Sequence, residues 1–242
     1  MKTNLKYVII ALAVVMAAWL LGRAYTYKYR SQDTIVVTGL GETEFTSDFI
    51  VWNGTLRVES QNVIAGYEKI EADRRKVLDY ITSKGIDASA VVFRFVNVYK
   101  ETEPIYVSGN YAGQRFVGYN LSQELTVESK DVDKVENISR EISSLIAKGV
   151  SLEAQTPSYY YTELDNVKQS LIEKASADAL LRATNIVDNA GAKLGNVVSA
   201  RLGVFQITGA NTNEGFSAGG SFNTSSRNKK ARVTIRVEYR VK

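Results

Sequence analysis

Ser226 and Lys229 stand three residues apart, the S-x-x-K spacing in which a lysine amine can take the proton of a serine nucleophile. That chemistry needs both groups on one helical turn, and here they fall where a polar loop enters a strand. Glu42 and Glu44 place two carboxylates on one face of an extended segment, part of a hard-cation site with Asp48 as the nearest third oxygen. Without a further ligand they read as solvated acids. Thr38-Gly39-Leu40-Gly41-Glu42 contains G-x-G, but lacks the third glycine and following helix that a dinucleotide phosphate requires. Asp131 precedes a helical pattern and reads as an N-cap. None of these constellations demands catalysis, a metal or a cofactor, and no catalytic residue is assigned.

The 242 residues include no cysteine and no histidine. This excludes Ser-His-Asp and Cys-His nucleophiles, thiol redox chemistry, disulfides and zinc sites of thiolate and imidazole. Two charged or aromatic surfaces remain. On the last strand Lys230, Arg232, Arg236, Arg240 and Lys242 share one face, opposite Ala231, Val233, Ile235, Val237 and Tyr239. That face would suit an anionic partner, or its charges pair with Glu124 and Glu128 on a neighbouring strand and discourage edge-to-edge association. Tyr159, Tyr160 and Tyr161, in a chain with 14 tyrosines, form a candidate oligomer contact or a half-buried edge.

Net charge does not point to nucleic acid. The chain carries 30 basic and 26 acidic side chains, but Lys2, Lys6, Arg23, Lys28 and Arg30 all fall in the first thirty residues, which contain no acid. The remainder is close to neutral and lacks the field that phosphate backbones need. Within that basic leader every side chain from Tyr7 to Leu21 is apolar or aromatic, including Ile10, Val14 and Trp19. At the helical rise this run spans about 22 Å, and with Lys6 and Arg23 snorkelling the stretch Leu5–Tyr25 reaches roughly 31 Å. The latter matches a hydrocarbon core of about 30 Å. Trp19, Tyr25, Tyr27 and Tyr29 would flank it as interfacial aromatics. A cleaved signal peptide is the competing reading, but Gly22-Arg23-Ala24 is a poor cleavage site. An uncleaved signal-anchor over residues 1–30 is therefore preferred, tethering an exported domain of residues 31–242, while charge balance alone leaves orientation open.

The elements that must position these groups follow from periodicity. Strands are expected at 33–40, 49–59, 91–100, 116–128, 196–208 and 229–242, with helices near 62–84, 131–148 and 165–190. Residues 101–115, with Pro104, Gly109 and Gly113, read as turn-rich, and 209–228 as a polar loop. Leu56-Arg57-Val58-Glu59-Ser60 matches Leu125-Thr126-Val127-Glu128-Ser129, and each is followed by a helix that ends at Gly85 or Gly149. A β-α-β unit used twice predicts an α+β fold: a pseudo-symmetric, antiparallel-rich sheet with helices packed on it, plus a third long helix and C-terminal strands. Alanines 175, 177, 179, 183 and 190 of that helix favour close approach to a sheet.

The order of elements resembles the SIMPL-domain family of Gram-negative envelope proteins, which includes a periplasmic immunogen. The resemblance is carried by I-V-V-T-G-L-G-E (35–42), by Gly118-Tyr119 leading to L-T-V-E-S-K-D-V-D-K-V (125–135), and above all by A-S-A-D-A-L-L-R-A-T-N-I-V-D-N-A-G-A-K-L-G-N-V (175–197). Leu180 stands near the family's usual basic position, and the Gly/Ser/Asn loop is long. The resemblance implies export to the periplasm and no enzyme activity. It also implies homo-oligomers, ring- or channel-like, with a link to envelope or oxidative stress. The expected partners are the chain itself and the inner membrane, with no nucleic acid. The alternative is a periplasmic module binding an anionic envelope ligand through the basic face of the last strand.

Overall fold

Among the residues described by the computed structural model, 2–30 and 33–242, the chain forms four α-helices and ten strands. The boundary expected at residue 31 falls outside them. Helix α1 (Lys2–Arg30) has described side chains at Tyr7 and from Ile10 to Thr26, all exposed. Val14, Trp19 and Leu21 lie on it, and the Arg23 guanidinium sits 5.2 Å over the Trp19 ring. The side chains of Lys6, Tyr27 and Tyr29, expected to flank the span, lie outside the described residues. Among the described residues no helix is long and apolar enough to cross a membrane.

The body has the expected α+β architecture, with its strands divided between two five-stranded sheets. The first holds both repeat units. In one, β2 (Phe49–Ser60) leads through α2 (Val63–Ser83) and a short 3-10 turn (Ala88–Ala90) to β3 (Val91–Val107). In the other, β4 (Asn110–Ser129) leads through α3 (Val132–Glu141) to β5 (Leu152–Ala154) and β6 (Ser158–Tyr160). The strand order is β3-β4-β2-β5, with β6 also on β2. Each unit's last strands therefore pair with the other unit's first strand. The register places Thr55 opposite Glu124, residues that the sequence repeat makes equivalent, so a pseudo-twofold axis passes through that pair.

Side chains reproduce the symmetry. Gly85 and Gly149 both adopt positive φ (84° and 75°), and the following amides of Ile86 and Val150 reach back to the carbonyls of Ile81 and Leu145. Lys69 of α2 donates to the Gly149 carbonyl and Lys134 of α3 to the Gly85 carbonyl, at 2.9 and 3.4 Å. Asn62 caps α2 by accepting from the Ile64 and Ala65 amides. Asp131 occupies the N-cap position of α3 but caps nothing; its carboxylate takes the Lys134 ammonium instead. The second helix is also shorter than expected and gives way to a 3-10 segment, Ile142–Lys148. With three residues per turn, that segment keeps Ile142 and Leu145 on one inward side. Ile50, Trp52, Leu56, Leu121 and Leu125 pack beneath Ile70, Val77, Ile81 and Ile138. Burial of each such side chain stabilises the fold by roughly 1.5–3 kcal/mol.

The second sheet brackets the first in sequence. Its strand β1 (Thr34–Thr46) precedes the repeats, while α4 (Leu164–Asn189), β7 (Leu194–Leu202), β8 (Gln206–Gly209), β9 (Ser221–Phe222) and β10 (Asn228–Val241) follow them. The order is β1-β10-β8-β9, with β7 also on β10. Strand β1 runs past Gly39 and Gly41, where an end was expected, because both glycines serve the packing of α4. The long strand expected at 196–208 divides at Gly203 into β7 and β8. The turn-rich stretch 101–115 is instead the outer half of a β3–β4 hairpin, closed by Ser108 and Gly109, both at positive φ. Pro104 is tolerated because β3 is an edge strand, and Gly113 sits at a bulge.

Candidate functional site

The G-x-G segment meets the alanine face of α4. A Cβ on Gly39 would lie 2.1 Å from the Ala175 carbonyl oxygen, and one on Gly41 2.1 Å from that of Leu171. Ala175, Ala179 and Ala183 are fully buried there. Asp178, in the middle of that face, accepts the Leu40 amide at 2.8 Å and the Arg182 guanidinium at 2.8 Å. The amide bond first, then Arg182, holds its carboxyl below the usual range. The stretch 35–42 and the run 175–197 thus meet in one contact, with Gly39 and Gly41 closed against the backbone of α4.

With α4 on one face, the other face of the second sheet is left open. The alternation of β10 is as expected: Ala231, Val233, Ile235, Val237 and Tyr239 are buried, and Arg232, Arg236 and Arg240 are exposed. The acids that answer this face come from β1, and the expected partners Glu124 and Glu128 lie in the first sheet. Glu42 accepts Lys230 and Arg232, each at 2.6 Å, and Glu44 lies 3.5 Å from Lys230. The hydrogen bond from Lys230 leads the causes that lower the Glu42 carboxyl. Glu124 faces Arg94 at 3.6 Å. The two carboxylates weighed as cation ligands are therefore charge-neutralised, and among the described residues no group of three acids is placed to hold a metal.

Neutralisation stops halfway along the strand. Arg236 lies directly across from Arg201 of β7, and Arg240 across from Thr34. Among the described residues neither Arg201, Arg236, Arg240 nor Lys242 has an acidic partner within 4 Å. Glu238 lies between Arg236 and Arg240 on that face, but its oxygens accept the hydroxyls of Thr34 and Ser199 at 2.9 and 3.0 Å. Arg201 escaped sequence reasoning because alternation shows which face a residue takes and not which strand lies beside it.

Ser226 and Lys229 form no nucleophilic pair. Lys229, 1 % exposed, lies on the buried face of β10, and its ammonium donates to the Asn223 carbonyl. Burial lowers its pKa, opposed by Glu214. The period of two would have placed it there.

Tyr159, Tyr160 and Tyr161 lie along the seam between the two sheets. Tyr159 is buried and donates its hydroxyl to Glu136 at 3.1 Å; Tyr160 faces Phe222, and Tyr161 packs on Phe45 with ring centres 4.8 Å apart. Arg227 crosses the same seam to Asp133 (2.6 Å) and Glu136 (3.1 Å) of α3. A further group of exposed aromatics lies on the β3–β4 arm. Tyr99, Tyr106, Val107, Tyr111 and Phe116 are exposed, and Phe95 near its base is 75 % exposed. Tyr106 and Tyr111 meet edge to face at 6.2 Å, and Lys100 lies 5.3 Å over Phe116.

The SIMPL family model, described as a protein of unknown function (DUF541), matches residues 35–241. No curated protein matches the chain. The family match runs from the start of β1 to the end of β10 and takes in both sheets and the Gly39–Ala175 contact; the chain belongs to the SIMPL family.

Proposed function

We propose that this chain is a non-enzymatic envelope protein, held at the inner membrane by α1 with its body in the periplasm, that assembles with further copies of itself. The observation that carries this reading is the β3–β4 arm. A two-stranded ribbon is marginally stable in water by itself, yet this one extends over residues 99–116 with Tyr99, Ile105, Tyr106, Val107, Tyr111 and Phe116 exposed. A contiguous apolar and aromatic surface of that kind marks a protein contact. A complementary surface exists on each copy: β7, paired on one side only, exposes Val197, Val198 and Leu202. An arm meeting the β7 edge of the next copy is a head-to-tail contact, and such contacts generate rings when the rotation closes. The tether is supported by the apolar run Tyr7–Leu21 and by the exposure of every described side chain in α1.

Light scattering on the full chain in a neutral detergent tests the assembly. An oligomer at micromolar concentration is expected, and replacing both Tyr106 and Tyr111 by serine shifts it toward monomer by about tenfold in dissociation constant. A wild-type chain that remains monomeric under these conditions would sink the proposal.

A further inference from the structure

We infer that the open face of the second sheet carries a phosphate-binding site centred on Arg201 and Arg236. Directly opposed residues on antiparallel strands have Cβ atoms about 4.5–5.5 Å apart, so two like charges at such a pair repel. Elsewhere on this face the problem is solved: Lys230 and Arg232 each have Glu42 at 2.6 Å. Among the described residues neither Arg201 nor Arg236 has a carboxylate within 4 Å; the neighbouring Glu238 accepts the hydroxyls of Thr34 and Ser199 and keeps its charge, one anion beside two guanidiniums. The two arginines, Ser199, Glu238 and Val36 line a cavity of ≈ 380 Å³. Thr38 lies beyond Arg236 in the same cross-strand row, a hydroxyl donor on the β1 side. Two guanidinium forks that line one cavity from neighbouring strands can supply paired donors to the oxygens of one tetrahedral phosphate, which a lone ammonium cannot.

The chain's own connectivity bears on the source of that phosphate. Arg240 pairs with Thr34, and α1 ends at Arg30, so at most about 14 Å of chain separates the helix end from this edge of the site. If α1 lies in a bilayer, Arg240 is held within that length of chain of the headgroup layer. That step rests on the tether proposed above; the site itself does not.

The test is isothermal titration of the full chain in neutral detergent with three probes: inorganic phosphate, dihexanoyl-phosphatidylglycerol and dihexanoyl-phosphatidylcholine. Binding of the phosphatidylglycerol alone, or in preference to inorganic phosphate, assigns the site to a lipid headgroup; equal or tighter binding of inorganic phosphate assigns it to a soluble phosphate. In either case Arg201→Gln and Arg236→Gln each weaken binding about tenfold or more, while Lys230→Gln leaves it unchanged. No binding of any probe at millimolar concentration overturns the inference. So does a loss in Lys230→Gln equal to that in Arg236→Gln, which would reduce the effect to general charge. Membrane fractionation reports on the tether separately, so the two readings can fail independently.

Discussion

At the scale of single residues, charge partners decide what each polar group can do. Lys229 is the clearest case, because it places an ammonium among the apolar side chains of β10 with one carbonyl to receive it. Its pKa is lowered by burial, so the native state disfavours the charged form. The unfolded chain then binds more protons than the native one between the lowered folded value and the ordinary lysine value, and stability rises with pH across that window. Urea unfolding at pH 7 and pH 10 is expected to show wild type gaining stability on Lys229→Met as pH rises. Parallel profiles for the two proteins would contradict this. The same bookkeeping of partners separates the halves of the basic face: Lys230 and Arg232 are answered by Glu42, and Arg236 and Arg240 are not.

At the scale of elements, the α4–β1 contact depends on the absence of side chains. Gly39→Ala drives a Cβ into the Ala175 carbonyl and is expected to destabilise by about 3 kcal/mol or more, read as a lower urea midpoint. Gly219→Ala, where a Cβ meets nothing within 4 Å, is the control and should be near neutral. This contact was half legible. The alanine run announced close packing and G-x-G announced an unusual strand, but only the fold shows that each is the other's partner. Alternation and helical stripes located the long strands and the helices but not the short strands β5, β6 and β9, and the repeat located the pseudo-twofold. The arm was misread because Pro104, Gly109 and Gly113 signal turns locally, whereas an edge position, a tight loop and a bulge accommodate them within one hairpin. The acids facing Lys230 were misassigned because periodicity is silent on strand order.

At the scale of the whole molecule, the two sheets are joined by a seam rather than a linker. The Ser47 amide donates to the Arg227 carbonyl and that of Tyr159 to Thr224, while Asp48 accepts both the amide and hydroxyl of Thr162. Tyr159, Tyr160 and Tyr161 line this seam, the first buried and the other two half-buried. The bracketing of one sheet by the other also sets an order of events. Residues 49–160 contain every strand of the first sheet, so it can form from a contiguous stretch of chain. Strand β1 has no such option: Thr34 must wait for Arg240, and closing so long a loop is slow. Pulse-labelled hydrogen exchange during refolding is expected to protect β2 and β4 before β1 and β10; simultaneous protection would refute that order. Until β10 arrives, Val36, Val37 and Leu40 are a bare strand in an otherwise half-built molecule. The strand that shields β1 thus comes from the far end of the chain, so the two must meet late.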